Sequence, residues 1–102
     1  GIEKDPNQIP ENFRLFQNHP NPFNPTTTLH YDLPENAMVN ITIYDMMGIV
    51  VCDLVSRQQT AGYRSIQWNS TNDAGSPVSA GLYLYRIKAG EFRQTKKMVL
   101  LK

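Results

Sequence analysis

The chain has 102 residues, the size of one domain, and its 40% hydrophobic and 19% charged residues are ordinary for a soluble globular module. A formal net charge of +1 gives no strong field that would attract nucleic acid or an anionic membrane surface. No apolar run approaches the roughly 20 residues that a membrane-spanning helix needs. We therefore expect neither a nucleic-acid-binding protein nor a chain that crosses a membrane as a helix.

The first twelve residues are polar, contain two prolines and show no hydrophobic periodicity, which is typical of a linker. The chain begins at Gly1 without an initiator methionine. We therefore expect it to be part of a longer protein. Residues 1–12 would be a linker or a remnant of what precedes, and residues 13–102 one folded domain.

A proline-rich segment, residues 18–25, follows a short first strand predicted at residues 13–16. Its three prolines have no backbone N–H and hold φ near −65°, so the segment can form neither a helix nor a central strand. The sequence therefore predicts a rigid loop. We expect the Phe23 side chain to be buried and to anchor this loop in the core.

The remainder of the chain alternates short apolar patterns with turns rich in Gly, Pro, Asn and Asp. Further strands are predicted at residues 28–33, 39–43, 49–55, 62–68, 82–87 and 92–101. Residues 49–55 are apolar on both phases, which predicts a strand that is covered on both sides or distorted by a bulge. Gly48, just before it, is expected to adopt a positive φ in a turn, and residues 56–59 to form a turn of helix at most.

Seven short strands without a convincing helical period predict an all-β fold, an immunoglobulin-like antiparallel β-sandwich. Trp68 is present, as in antibody domains, but Cys52 is the single cysteine, so the disulfide of those domains cannot form within the chain. We expect Cys52 to be a small buried apolar residue.

Motifs for chemistry are absent from the sequence. It contains no nucleophile elbow, phosphate-binding loop or zinc-protease motif, and His19, His30 and Cys52 lack the spacing of metal ligands. We therefore predict a protein that is not an enzyme, with no catalytic residues, cofactor, metal or small-molecule substrate.

Four aromatic residues leave a binding alternative open. Tyr63, Trp68, Tyr83 and Tyr85 could form a platform for sugars, whereas the enrichment of aromatic residues in strands favours a role in packing.

Six stretches of the chain occur in the order of a known family. They are residues 17–27, 31–34, 43–45 with Gly48, 68–69 with Gly75, 81–86 and 97–102. Over residues 13–102 the chain resembles the type A C-terminal sorting domains of the type IX secretion system, which are related to the immunoglobulin-like domain of the flagellar hook-capping protein. One departure is Asn69, where the family often has Asp.

The resemblance implies a secretion signal at the C-terminus of a larger cargo protein. Its partners would be the upstream cargo domain, the type IX translocon and a sortase-like peptidase that cuts in the linker, here residues 1–12. The protein would pass through the periplasm and reach the cell surface or the medium. Self-association stays open.

The resemblance also places recognition late in the chain and singles out one loop. The implied recognition residues are Gly81, Tyr83, Tyr85, Arg86, Gly90, Lys96, Lys97, Met98, Val99, Leu100, Leu101 and Lys102. The family's motif loop maps onto Asn21, Pro22, Phe23, Asn24 and Pro25.

The physical properties of the last strand allow two interpretations. An edge strand exposes unpaired N–H and C=O groups that a partner strand can bind, and edge lysines discourage self-association. Alternatively, the strand only completes the sandwich and its lysines are solvated. Two other functions remain as alternatives to the secretion signal: a structural immunoglobulin-like spacer and an accessory carbohydrate-binding module.

Overall fold

A computed structural model describes residues 8–101, which form seven β-strands and no helix. The strands are β1 (Arg14–Leu15), β2 (Thr27–Leu33), β3 (Ala37–Asp45), β4 (Val50–Gln59), β5 (Gly62–Trp68), β6 (Gly81–Ala89) and β7 (Phe92–Leu100). Residues 1–7 of the predicted linker and the predicted site residue Lys102 lie outside the described residues. Residues 8–12 belong to no strand, although Pro10 is buried.

The strands form two antiparallel sheets. A three-stranded sheet has the order β1-β2-β5, and a four-stranded sheet has the order β4-β3-β6-β7. The predicted all-β, immunoglobulin-like sandwich of seven strands is confirmed. In the larger sheet β4 and β7 are the two edge strands, so the last strand has the edge position that the first of its two interpretations requires.

The core follows directly from the alternation of apolar and polar residues. In β2, β3 and β6 every second side chain is buried, and these side chains point into the space between the sheets. The largest fully buried side chains are Trp68, Tyr31, Tyr85 and Phe23. Cys52 is buried as predicted, and burial, with a contribution from Asp73, raises the pKa of its thiol to about 11.

Every strand except β5 differs in length from the prediction, and β1 and β4 show the physical reasons. β1 is shorter than residues 13–16; Phe13 instead stacks on Phe92, with 5.4 Å between the ring centroids. β4 continues to Gln59, because residues 56–59, predicted as a helical turn at most, pair with the start of β3. The prediction for residues 56–59 was wrong, since pairing across the sheet outweighs the weak local preference.

The predicted distortion of the apolar run is confirmed as an irregularity of β4. The pairing of β3 with β4 shifts register between Ile41 and Thr42 and again between Ile43 and Tyr44. Gly48, in the turn that joins these strands, has the predicted positive φ, 83°. The Asp45 side chain stabilises this turn by accepting hydrogen bonds from two backbone N–H groups within it.

A buried hydrogen bond joins the two sheets across the core. The Tyr31 hydroxyl, on β2, donates to Gln59 Oε1, on β4, over 2.7 Å. Both residues are buried, so neither polar group can exchange this partner for water. The bond therefore favours one relative placement of the sheets.

Removing one side of this bond is expected to cost more than removing both. Tyr31→Phe leaves Gln59 Oε1 buried without its donor and should lower the free energy of unfolding by about 1–3 kcal/mol. Tyr31→Phe combined with Gln59→Leu should recover most of that loss. Chemical denaturation followed by Trp68 fluorescence measures both, and a double variant less stable than Tyr31→Phe would contradict the explanation.

Candidate functional site

The motif loop runs along the outer edge of β7. The Phe23 N–H donates to the Val99 carbonyl over 2.9 Å, and the Leu101 N–H donates to the Phe23 carbonyl over 2.8 Å. Asn21 Oδ1 accepts a hydrogen bond from the Val99 N–H over 2.9 Å. Phe23 thus forms a parallel bridge to Leu100 and acts as a one-residue strand outside β7.

A further contact extends this cover along β7. Gln17 Nε2, just before the proline-rich segment, donates to the Lys97 carbonyl over 2.7 Å. The outward backbone groups from the Lys97 carbonyl to the Leu101 N–H are therefore occupied by the chain itself. A partner strand can pair with this half of β7 only by displacing the loop.

Buried polar side chains stabilise the loop, since its prolines cannot donate hydrogen bonds. Asn18 Nδ2 donates to Thr27 Oγ1 and to the Pro20 carbonyl, over 3.0 and 3.2 Å. Thr27 Oγ1 donates to the same carbonyl over 2.8 Å, and the Ser70 hydroxyl donates to the Pro25 carbonyl. Asn18, Thr27 and Ser70 are buried, so the loop conformation is set from inside the protein.

The Phe23 side chain anchors the loop in the core, as predicted. It is 2% exposed and lies 5.9 Å from the Trp68 ring, which in turn meets the Tyr83 ring edge-on at 5.6 Å. Trp68 Nε1 donates a hydrogen bond to the Thr71 carbonyl over 2.8 Å. The Phe23 side chain therefore lies in the core, while the Phe23 backbone is hydrogen-bonded to the edge of β7.

Tyr85 connects the larger sheet to the start of the loop. Its hydroxyl accepts a hydrogen bond from the Asn18 N–H and donates one to the Phe16 carbonyl, each over 2.8 Å. The side chain is fully buried. Burial raises the pKa of the Tyr85 phenol to about 12, an effect that its hydrogen bond with Asn18 partly offsets.

The predicted recognition residues divide between the core and the surface. Tyr83, Tyr85, Met98 and Leu100 are buried; Arg86, Lys96 and Val99 are half-buried; Gly81, Gly90, Lys97 and Leu101 are exposed. In the motif loop Phe23 is buried, whereas Asn21, Pro22, Asn24 and Pro25 are exposed. The recognition role stays a prediction, but in the folded domain only the exposed and half-buried members offer side chains to a partner.

An exposed apolar end of the larger sheet was missed by the sequence analysis. The pairing of Tyr44 with both Val50 and Leu84, and of Leu82 with Val99, brings together the β3–β4 turn, the start of β6 and the end of β7. The exposed apolar side chains there are Met46, Met47, Ile49, Val50, Leu82 and Leu101. Clustered apolar surface of this kind is typical of interaction sites. The sequence feature that could have indicated this surface is the run from Met46 to Val50, which is apolar except for Gly48.

The four aromatic residues do not form an exposed platform. Trp68, Tyr83 and Tyr85 lie in the core, which confirms the packing interpretation, while Tyr63 is 38% exposed on the outer face of the smaller sheet. There it lines an open groove of about 530 Å³ with Phe16, His30, Asp32 and Arg64 among its neighbours.

Residues 8–101 contain neither a metal-binding cluster nor a membrane-spanning helix. No group of three or more His, Cys, Asp or Glu residues there is arranged to hold a metal ion. No helix in this part of the chain is long and apolar enough to cross a membrane.

The amide of Val99 should report directly on the loop. In Asn21→Ala this amide loses its acceptor, and its hydrogen exchange should become about tenfold faster. Asn24→Ala is the matched control, since Asn24 is an exposed asparagine of the same loop. Exchange measured by NMR that responds equally to both substitutions would contradict the assignment.

Alkaline pH should test the buried phenol of Tyr85. An unfolded tyrosine ionises near pH 10.0, whereas in the folded domain the pKa of Tyr85 is about 12. Its contribution to stability is therefore complete below about pH 10 and is lost as the pH rises towards 12. Tyr85→Phe should be about 1–3 kcal/mol less stable at neutral pH but should lose less stability between about pH 10 and 12. Denaturation curves with equal pH slopes for both proteins would refute this.

Comparison with known proteins identifies the scaffold. Residues 22–91 match the family model described as the FlgD Ig-like domain. This match includes Phe23 and strands β2 to β6, and it ends before β7. No curated protein matches the chain.

Two solved structures from Porphyromonas gingivalis share the fold. Dimeric latent PorU superposes with a TM-score of 0.65 at 23% identity, covering 83% of this chain and 9% of PorU. PorZ, described as an essential bacterial surface component of the type IX secretion system, superposes with a TM-score of 0.57 at 17% identity, covering 88% of this chain and 11% of PorZ. At these identities the likeness shows the fold alone. The family match extends over more than half of the 102 residues, and the chain therefore belongs to the FlgD Ig-like domain family.

Proposed function

We propose that this domain is a non-catalytic sorting module that directs a larger cargo protein across the outer membrane through the type IX secretion system. The observation that carries the proposal is the hydrogen-bonded unit formed by the motif loop and the end of β7. These are two of the segments that resemble type IX sorting domains, and the fold brings them into direct contact. The fold shared with PorU and PorZ supports the same assignment.

The loop prepares the end of β7 for recognition. Its hydrogen bonds fix the backbone of residues 97–101, while the Lys97 and Leu101 side chains remain exposed. A surface that is already ordered loses less conformational entropy when a partner binds. The buried predicted residues Met98 and Leu100 then act by holding this strand against the core.

The exposed apolar end provides contact area beside the strand. Leu82 pairs with Val99 on the neighbouring strand, and the β3–β4 turn with Met46 and Met47 lies at the same end of the sheet. Apolar side chains that are exposed in the free domain favour association with a partner because binding removes them from water.

The remaining parts of the proposal follow the resemblance to sorting domains. The cargo precedes the domain in the same protein and passes through the periplasm with it. The translocon recognises the folded domain, and a sortase-like peptidase then cuts within residues 1–12. The cargo is left on the cell surface or is released.

An immunoglobulin-like spacer is the second candidate, favoured by membership of the FlgD Ig-like family. A spacer needs only its fold, whereas a sorting module also needs its exposed surface. Single surface substitutions that leave the fold intact therefore separate the two functions.

Export of a reporter is the decisive measurement. A periplasmic reporter carrying residues 1–102 at its C-terminus should reach the medium or surface of a bacterium with a type IX system, and should stay in the periplasm of an isogenic strain without the translocon. Leu101→Glu, at a side chain that is 51% exposed, should reduce export at least about tenfold by placing a charge in the apolar contact area.

Met38→Glu is the matched control, because Met38 is 47% exposed near the opposite end of the same sheet and its substitution should leave export unchanged. Thermal melting confirms that both variants fold. A wild-type reporter that stays in the periplasm of the competent strain would overturn the sorting function. Equal export of wild type and Leu101→Glu would remove the role given to the end of β7.

A further inference from the structure

The first half of β7 has an open outer edge. Val99 directs both its N–H and its C=O away from β6, and in an antiparallel strand every second residue does the same. Arg93 and Thr95 share this phase, and so does Lys97, whose carbonyl binds Gln17. Within residues 8–101, no backbone or side-chain group pairs with the outward N–H and C=O of Arg93 and Thr95 or with the N–H of Lys97.

We propose that this open edge, residues 93–97, binds an extended acidic segment of a partner protein, which adds to the larger sheet as a further strand. Its place in secretion rests on the proposed function, whereas the binding chemistry does not. Lys96 and Lys97 belong to the recognition set predicted from the sequence. Arg93 and Thr95 do not, so the open edge extends that set towards the start of β7.

The charged side chains on the outer face along residues 93–97, and on the part of β6 that pairs with them, are all positive. Arg93, Thr95 and Lys97 point to the outer face of the sheet and are exposed. On β6, Lys88 pairs with Arg93, and Arg86 pairs with Thr95, so two more cations share that face. The four cations are Arg86, Lys88, Arg93 and Lys97. They form no ion pair with other residues of the described range. The surface therefore complements carboxylates.

A second copy of the chain does not fit this edge. Antiparallel pairing of two copies about Thr95 would place Arg93 of each copy opposite Lys97 of the other. Like charges directly opposite each other destabilise a strand pair, and cationic side chains on edge strands are a common protection against such pairing. Acidic residues at the same two positions instead form opposite-charge pairs.

Strand geometry defines the partner's sequence pattern. Side chains on one face of a strand recur every second residue, so the residues opposite Arg93, Thr95 and Lys97 occupy positions i, i+2 and i+4 of the partner. Carboxylates at i and i+4 and a small or β-branched residue at i+2 match the edge. The pattern is the same for parallel and antiparallel addition, because it is symmetric.

Peptide binding tests the chemistry directly. The probes are fluorescein-VEVTVEV-amide and its control fluorescein-VKVTVKV-amide, titrated with the 102-residue protein by fluorescence anisotropy. The acidic peptide should bind at least about tenfold more tightly than the basic one. Equal affinities would overturn the proposal.

Thr95→Pro removes one outward N–H without removing a hydrogen bond to β6, and Thr95→Ala is the matched control that keeps this N–H. The proline should weaken binding of the acidic peptide about tenfold, and the alanine should have little effect. If the proline variant does not fold, the double variant Arg93→Glu and Lys97→Glu decides, because it should reverse the preference in favour of the basic peptide. An unchanged preference would overturn the proposal.

The same variants separate this inference from the proposed function. In the export assay, folded Thr95→Pro should reduce secretion of the reporter and Thr95→Ala should not; if the proline variant does not fold, the double charge variant should reduce it. Wild-type reporter that is not exported refutes the sorting function, whatever the peptide titrations give. Wild-type export together with full export of the folded edge variant refutes the open edge as the recognition site and leaves the sorting function intact.

Discussion

The placement of Phe23 is the constraint on which the rest of the structure depends. Its side chain is buried beside Trp68, and its backbone bonds to Val99 and Leu101 on the outer edge of β7. The surrounding prolines restrict the chain, and the polar side chains beneath them satisfy the carbonyls that the prolines leave without ladder partners. A loop of this kind can lie along a strand edge without continuing the sheet. Loss of the Phe23 anchor would release the core contact and the strand contact together.

This loop divides the edge of the larger sheet into two parts of different character. The second half of β7 is occupied by the chain itself, next to the exposed apolar side chains Met46, Met47 and Leu82. The first half is open and cationic. Free strand edges are normally protected against uncontrolled pairing, and the loop supplies that protection where the neighbouring surface is apolar. Where no loop covers the edge, Arg93 and Lys97 supply it by charge.

Much of the scaffold could be predicted from the sequence because its signals are local. Period-two patterns located β2 and β3, turn residues such as Gly48 located the connections, and the proline segment identified Phe23 as an anchor. The continuation of β4 to Gln59 could not be predicted, since that segment gains its order only from pairing with β3. The Tyr31–Gln59 bond and the apolar end depend on register between distant strands, which a single sequence does not specify. For the same reason the candidate recognition residues were drawn from two segments, residues 81–90 and 96–102, without the distinction between buried and exposed members.

The cations of β7 connect protection of the edge with selection of a partner. A charge that prevents two copies from pairing also penalises any approaching strand with basic residues, and it favours one with carboxylates. Specificity therefore arises from repulsion as much as from attraction, and it requires no pocket. Because the backbone groups of Arg93 and Thr95 supply hydrogen bonds to any extended chain, the side chains at positions 93 and 97 are the elements that distinguish partners. A substitution at position 93 or 97 changes which strand binds. A substitution at Phe23 instead changes whether the loop covers the second half of the β7 edge.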